Sequence, residues 1–192
     1  MKIIMVKRLA MASIFIVLCT VFAAAQVTSF SKQESLYGVK FAVTSPNKNA
    51  DNTVTIKTTG LTRNLKITKK FEGRVLGMAA ADTNLDGAPE IYVWGISSGS
   101  GSYGIILGFS TNGKKSATEI YFPEMDMSSE MANGYMGHDE FEVIETTLVR
   151  RFPVYKPGDS NAKATGGTRQ VQYKVKKGEA GWVMSVEKFY SF

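Results

Sequence analysis

Glu90-Ile91-Tyr92-Val93-Trp94-Gly95-Ile96 and Tyr103-Gly104-Ile105-Ile106-Leu107-Gly108-Phe109 are two nearly continuous apolar runs, separated by Ser97-Ser98-Gly99-Ser100-Gly101-Ser102. Each run has the length of an ordinary strand and falls short of an ordinary helix. Neither alternates polar with apolar residues, so both faces of each strand must be covered. That is the signature of a central strand rather than a half-exposed one. The Gly and Ser residues between them supply a loop.

Outward from this pair, the chain reads mainly as strands with one face in water. Val54 and Ile56 alternate with Thr53, Thr55 and Lys57, and Leu65 and Ile67 alternate with Asn64, Lys66 and Thr68. Val171, Tyr173 and Val175 alternate with Gln170, Gln172, Lys174 and Lys176, and Trp182, Met184 and Val186 share one parity before Phe189-Tyr190. A period of two places alternate side chains on opposite faces. Thr59-Gly60, Asp86-Gly87, Asn112-Gly113, Pro157-Gly158, Gly166-Gly167 and Lys177-Gly178 punctuate these runs as turns. The expected fold is all-β, a single-domain antiparallel β-sandwich. Only Pro123 to Asn133 suits a short helix. Residues 26 to 36 read as a loose lead, and Pro157 to Thr168 as an exposed polar loop.

The first 25 residues are expected to be a secretory signal peptide. Lys2, Lys7 and Arg8 precede an apolar stretch from Leu9 to Phe22, and Ala23-Ala24-Ala25 offers small residues for cleavage. The apolar stretch is shorter than the roughly 20 residues a membrane span needs. Cys19 lacks the small neighbours of a lipobox. Cleavage after Ala25 leaves one domain, residues 26 to 192, and removes the only cysteine. It also lowers the net charge from +6 to +3, because three of the 23 basic residues and none of the 17 acidic ones leave. Such a balance gives no argument for nucleic acid. The expected location is the periplasm or the exterior, with no membrane contact after cleavage.

Two loops carry candidate chemistry. In Asp82-Thr83-Asn84-Leu85-Asp86-Gly87-Ala88-Pro89-Glu90, oxygen side chains stand at positions one, three and five, with Gly at six. This matches the first half of a calcium loop, with Asp82, Asn84, Asp86 and Glu90 as candidate ligands of a structural calcium. Val93 stands where an EF-hand would place its bidentate Glu. The competing reading is a tight turn held by Asx bonds to its own backbone. The second loop is Ser97 to Tyr103. Its small hydroxyl residues and its stiff, amphipathic tyrosine have the composition of a binding surface with high backbone freedom. The competing reading is a long hairpin without a partner.

Catalytic motifs are incomplete, so a non-enzymatic protein is expected. His138 is the only histidine, which excludes a His-pair zinc site. His138-Asp139-Glu140 places candidate base and acids side by side, where a strand turns neighbours to opposite faces. Gly99-Ser100-Gly101 lacks the strand-to-helix setting of a nucleophile elbow. No Lys-Ser/Thr ending makes the loop a phosphate cradle. Trp94 and Trp182 are expected in the core.

Five blocks, in order, resemble the periplasmic inhibitors of invertebrate-type lysozyme. They are Asp82 to Val93, Ser98 to Gly104, Tyr135 to Phe141, Leu148 to Tyr155 and Gly166 to Tyr173. The resemblance covers about Phe71 to Val186 and does not extend over Gln26 to Lys70. It implies a β-sandwich, a homodimer, and an exported inhibitor that protects a bacterial wall by inserting a loop into the lysozyme active-site cleft. The shared Ser-Gly-x-x-x-Tyr pattern falls here on Ser98, Gly99 and Tyr103, with Ser100 and Gly101 inside the loop. Hydroxyls of Ser100 and Tyr103 would donate to catalytic carboxylates, and Gly99 and Gly101 would let the backbone enter a narrow groove. Arg150, Arg151 and Arg169 are candidates for rim support. The alternative expectation is a calcium-stabilised carbohydrate- or surface-binding β module.

Overall fold

The structure is a computed structural model describing residues 29–192. The expected signal peptide and Cys19 lie outside the described residues. Strands β1 (Phe30–Leu36), β2 (Val39–Ser45), β3 (Asn52–Thr59) and β4 (Lys66–Phe71) form an antiparallel four-stranded sheet in chain order. The remaining strands are β5 (Arg74–Ala81), β6 (Glu90–Ile96), β7 (Gly104–Ser110), β8 (Thr118–Tyr121), β9 (Glu140–Ile144), β10 (Thr147–Pro153), β11 (Thr168–Lys177) and β12 (Trp182–Ser191). They form one eight-stranded sheet in the order β5-β6-β7-β8-β12-β11-β10-β9. Every pairing is antiparallel except β8 with β12, where Ile120 and Tyr121 pair with Trp182 and Val183. The protein is an all-β, sandwich-like domain, and the large sheet curls until its edge strands β5 and β9 touch.

The central-strand reading of β6 has a structural cause. Ile91 and Val93 point into a core shared with Phe41 and Val43 of β2, Val54 and Ile56 of β3, and Phe109 of β7. Tyr92 and Trp94 point the other way and pack with Ile120, Leu148, Val175 and Met184. β6 is therefore a middle layer between the small sheet and the far half of the curled one. Burying both faces removes the polar alternation that half-exposed strands need. Trp94 and Trp182 are half-buried against this second cluster.

Three local outcomes differ from the sequence reading. Residues 30 to 36 are not a loose lead; they pair with β2 from Phe30 opposite Ser45 to Leu36 opposite Val39. β1 is an edge strand with a mostly exposed surface, so little alternation marks it. Glu34 Oε2 accepts the Ala80 N–H at 2.7 Å and joins the two sheets there. The stretch from Pro123 to Asn133 is helical only as a 3-10 turn at Glu130–Ala132. Asp126 Oδ1 accepts from the Ser128 N–H and hydroxyl, an Asx bond that competes with helix formation. In β12, Val186 pairs with Tyr173 but Lys188 pairs with Gln172, so Glu187 is an extra residue at a bulge. The bulge changes the strand's parity. Met184, Val186 and Phe189 consequently line one groove.

The polar stretch 157 to 168 is a surface loop, as expected. Asp159 organises it by accepting from the Lys156 and Thr165 N–H groups at 2.7 and 2.8 Å.

Candidate functional site

The Ser/Gly loop joins β6 to β7 and carries its side chains outward. Ser98, Gly99 and Ser100 are exposed, and Tyr103 is 50% exposed. Among the described residues, neither the Ser100 hydroxyl nor the Tyr103 hydroxyl is engaged by another protein group. The backbone is a different matter. Ser97 N–H donates to Tyr103 O at 2.8 Å, Tyr103 N–H to Ser97 Oγ at 3.0 Å, and Ser102 N–H to Gly99 O at 3.0 Å. From outside the loop, His138 N–H donates to Gly101 O at 2.7 Å, and Asn161 Nδ2 donates to Ser100 O at 3.1 Å. The backbone freedom expected from composition is thus used up by hydrogen bonds. The loop is braced, with its side chains free.

Close packing at the brace requires glycine. A Cβ on Gly137, whose φ is +92°, would lie 2.0 Å from Gly101 O. A Cβ on Gly101 would lie 2.6 Å from the Tyr103 ring, so this glycine accommodates the loop's own tyrosine. Gly99 stands in open space.

Beneath the loop sits a buried polar cluster. Asp139 has a fully buried side chain, and the Arg150 side chain is 14% exposed. Asp139 Oδ1 accepts from Arg150 Nε at 2.6 Å, and Oδ2 accepts from the Gly104 N–H at 2.6 Å and the Tyr135 hydroxyl at 2.7 Å. One carboxylate thereby ties the first residue of β7 to β10 and to the segment that crosses the loop. Burial works against the Arg150 charge, but the hydrogen bond and charge of Asp139 outweigh it and raise its pKa. The guanidinium also stacks near the Tyr135 and Phe152 rings, at 5.1 and 5.7 Å. Burial raises the Tyr135 and Tyr173 hydroxyl pKa values, so both phenols stay protonated, and Tyr135 donates to Asp139. Tyr103 meets Tyr135 edge-on, with centroids 5.9 Å apart. The brace therefore reaches the exposed ring.

The same residues form one end of an apolar groove of about 1070 Å³. Tyr103, Ile106, Phe122, Tyr173 and Met184 line it, and residues 123 to 131 form its lip. No periodicity in the sequence signals this groove, because its walls come from β7, β10, β11 and β12. The alternation of Met and acidic residues in Pro123-Glu124-Met125-Asp126-Met127 is the one local hint of it.

The acidic loop at the other end of β6 is turned on itself. Asp82 Oδ1 and Oδ2 accept from the Asp86 and Gly87 N–H groups, each at 3.0 Å. Asn84 Oδ1 accepts from Asp86 N–H, and Asp86 Oδ1 accepts from Ala88 N–H. Glu90 points inward and is fully buried. Its Oε2 accepts from the Thr83 N–H at 2.8 Å and its Oε1 from the Ser110 hydroxyl at 2.9 Å. Burial pushes its carboxyl pKa up, against those stabilising bonds. Among the described residues no three His, Cys, Asp or Glu side chains converge in a way that holds a metal ion. As folded, the oxygens of Asp82, Asn84 and Asp86 accept the turn's own N–H groups, the arrangement of an Asx turn, while those of Glu90 accept from Thr83 and Ser110.

The other candidates have structural tasks. His138 contributes its backbone N–H to the brace, and its Nε2 lies 3.3 Å from Asn161 Oδ1. Arg151 bonds Gln170 Oε1 at 2.6 Å and Glu142 at 2.8 Å across neighbouring strands. Arg169 bonds the Glu130 and Met131 carbonyls at 2.8 and 2.9 Å and so holds the groove's lip. No family model matches this chain, and no curated protein matches it either.

Proposed function

We propose that the chain is an exported proteinaceous inhibitor of invertebrate-type lysozyme, with Ser98, Gly99, Ser100, Gly101 and Tyr103 as its inhibitory loop. The supporting observation is the combination of a braced backbone and free side chains at Ser97 to Tyr103. A loop ordered before binding loses little conformational entropy on entering a cleft. Its unengaged hydroxyls at Ser100 and Tyr103 are donors suited to the carboxylates of a glycoside-hydrolysing site. The half-exposed Tyr103 ring supplies the rigid aromatic contact typical of binding hot spots. The inhibitor would occlude substrate without chemistry of its own.

A muramidase assay with an invertebrate-type lysozyme tests this reading, with goose- and chicken-type enzymes beside it. Stoichiometric loss of invertebrate-type activity is the expected result. Full activity at excess protein refutes the proposal.

A further inference from the structure

We propose that the apolar groove beside the loop binds a basic amphipathic segment of a polypeptide. The groove runs over the inner faces of β7, β10, β11 and β12, with Ile106, Leu148, Tyr173, Met184 and Val186 in its walls. Its volume of about 1070 Å³ lies just above the roughly 300–1,000 Å³ range of small-molecule pockets. Its lip, residues 123 to 131, carries Met125, Met127 and Met131 among the groove's lining residues. Met127 is 61% exposed, an unbranched apolar side chain held out at the mouth. Methionine adapts its shape to different apolar partners, which suits a recognition surface.

Charge chooses the occupant. Glu124, Asp126 and Glu130 also line the groove and are exposed on the lip. Among the described residues, none of the three forms a salt bridge. Of the two arginines that approach the groove, one is ion-paired and the other adds a single cation beside three carboxylates, so the lip stays net negative. Arg150 is neutralised by Asp139, and Arg169 bonds the Glu130 and Met131 carbonyls and stacks over Phe189. An acidic, methionine-bearing lip above an apolar trough complements apolar residues on one face of a segment and cations beside them. A single cationic head group meets one carboxylate at a time. Three carboxylates spread along the lip favour several cations on one chain. This groove adjoins the Ser/Gly loop at Tyr103, but its lip carboxylates lie outside that loop, and its test needs no lysozyme.

The probe is a fluorescein-labelled Leu/Lys peptide of about 18 residues with its leucines at helical spacing, titrated by anisotropy beside a Leu/Glu peptide of the same spacing. The Leu/Lys peptide is expected to bind with a Kd of about 1–10 μM, and the Leu/Glu peptide at least tenfold more weakly, on the order of its repulsion by the lip. The triple variant E124Q/D126N/E130Q should raise the Leu/Lys Kd about tenfold, and raised salt should weaken wild-type binding. Val186→Lys, at a 41% exposed position on the groove wall, should weaken it similarly while leaving the far-UV circular dichroism unchanged. Equal binding of both peptides overturns the proposal. So does an unchanged Kd in the triple variant, or binding of laurate in place of the basic peptide.

Discussion

Two loops leave opposite ends of β6, and both carry polar residues at suggestive spacing. They use those residues in opposite ways. From Asp82 to Glu90, side-chain oxygens fold inward and accept the loop's own N–H groups, so the side chains hold the backbone. From Ser97 to Tyr103, backbone groups and neighbouring segments hold the backbone, and the hydroxyls at the tip are left over. A polar side chain in a loop is available for a partner only when something else has satisfied the local N–H and C=O groups. Composition does not distinguish the two cases, because Asp, Asn, Ser and Gly are the residues of both.

The strongest test of this contrast is the brace. Asp139→Ala leaves the buried Arg150 guanidinium, the Gly104 N–H and the Tyr135 hydroxyl without their acceptor. Breaking a buried pair from one side costs about 3–5 kcal/mol, so urea unfolding should show a large fall in midpoint. A midpoint within error of wild type would mean that the loop is not held from below.

Next is the side chain the brace presents. Tyr103→Ala should lose about 2–3 kcal/mol of lysozyme affinity, as a hot-spot aromatic does, while unfolding shifts by less than about 0.5 kcal/mol because the ring is half-exposed. Equal losses in both measurements would make Tyr103 a packing residue and erase the contrast.

At the opposite end, the expected effect is pH-dependent. Burial raises the Glu90 pKa in the folded protein above its ordinary 4.5. A group whose pKa is raised on folding contributes stability below its unfolded value and loses it as pH rises through the folded value. Chemical denaturation of wild type should therefore show stability falling as pH rises above about 4.5, by an order of 1 kcal/mol per unit of pKa difference. Glu90→Gln should flatten that slope. The same slope in both proteins would assign it to another group.

Smaller still is Asp82→Ala, which removes the acceptor for the Asp86 and Gly87 N–H groups. Loss of such a capping bond costs about 1 kcal/mol, read as a fall in Tm with inhibition preserved. Calcium in excess should leave the wild-type Tm unmoved, since the oxygens are already engaged by the turn. A calcium-dependent rise in Tm would mean that the loop can reopen into a cage, and would narrow the difference between the two ends of β6.

Local residue patterns suffice for the class of fold and the placement of its middle layer. Glu90 to Ile96 lacks alternation because both of its faces are buried, and β3 alternates because one of its faces is wet. These are local consequences of the strand's period and can be read from a few consecutive residues. The position of the Ser/Gly loop followed from the same reading. Tertiary structure decided everything that depends on which distant residues meet. Asp139 reaches Gly104, 35 residues away, a meeting that no local spacing signals. β1 reads as a loose lead in the sequence because an edge strand with one partner buries too little to show a period. The bulge at Glu187 brought Phe189 to the face of Met184, and the curling of the large sheet made a groove from strands far apart in sequence. Hydrogen-bond satisfaction is a property of the folded neighbourhood, so it alone decided which of two similar polar loops kept its side chains to itself.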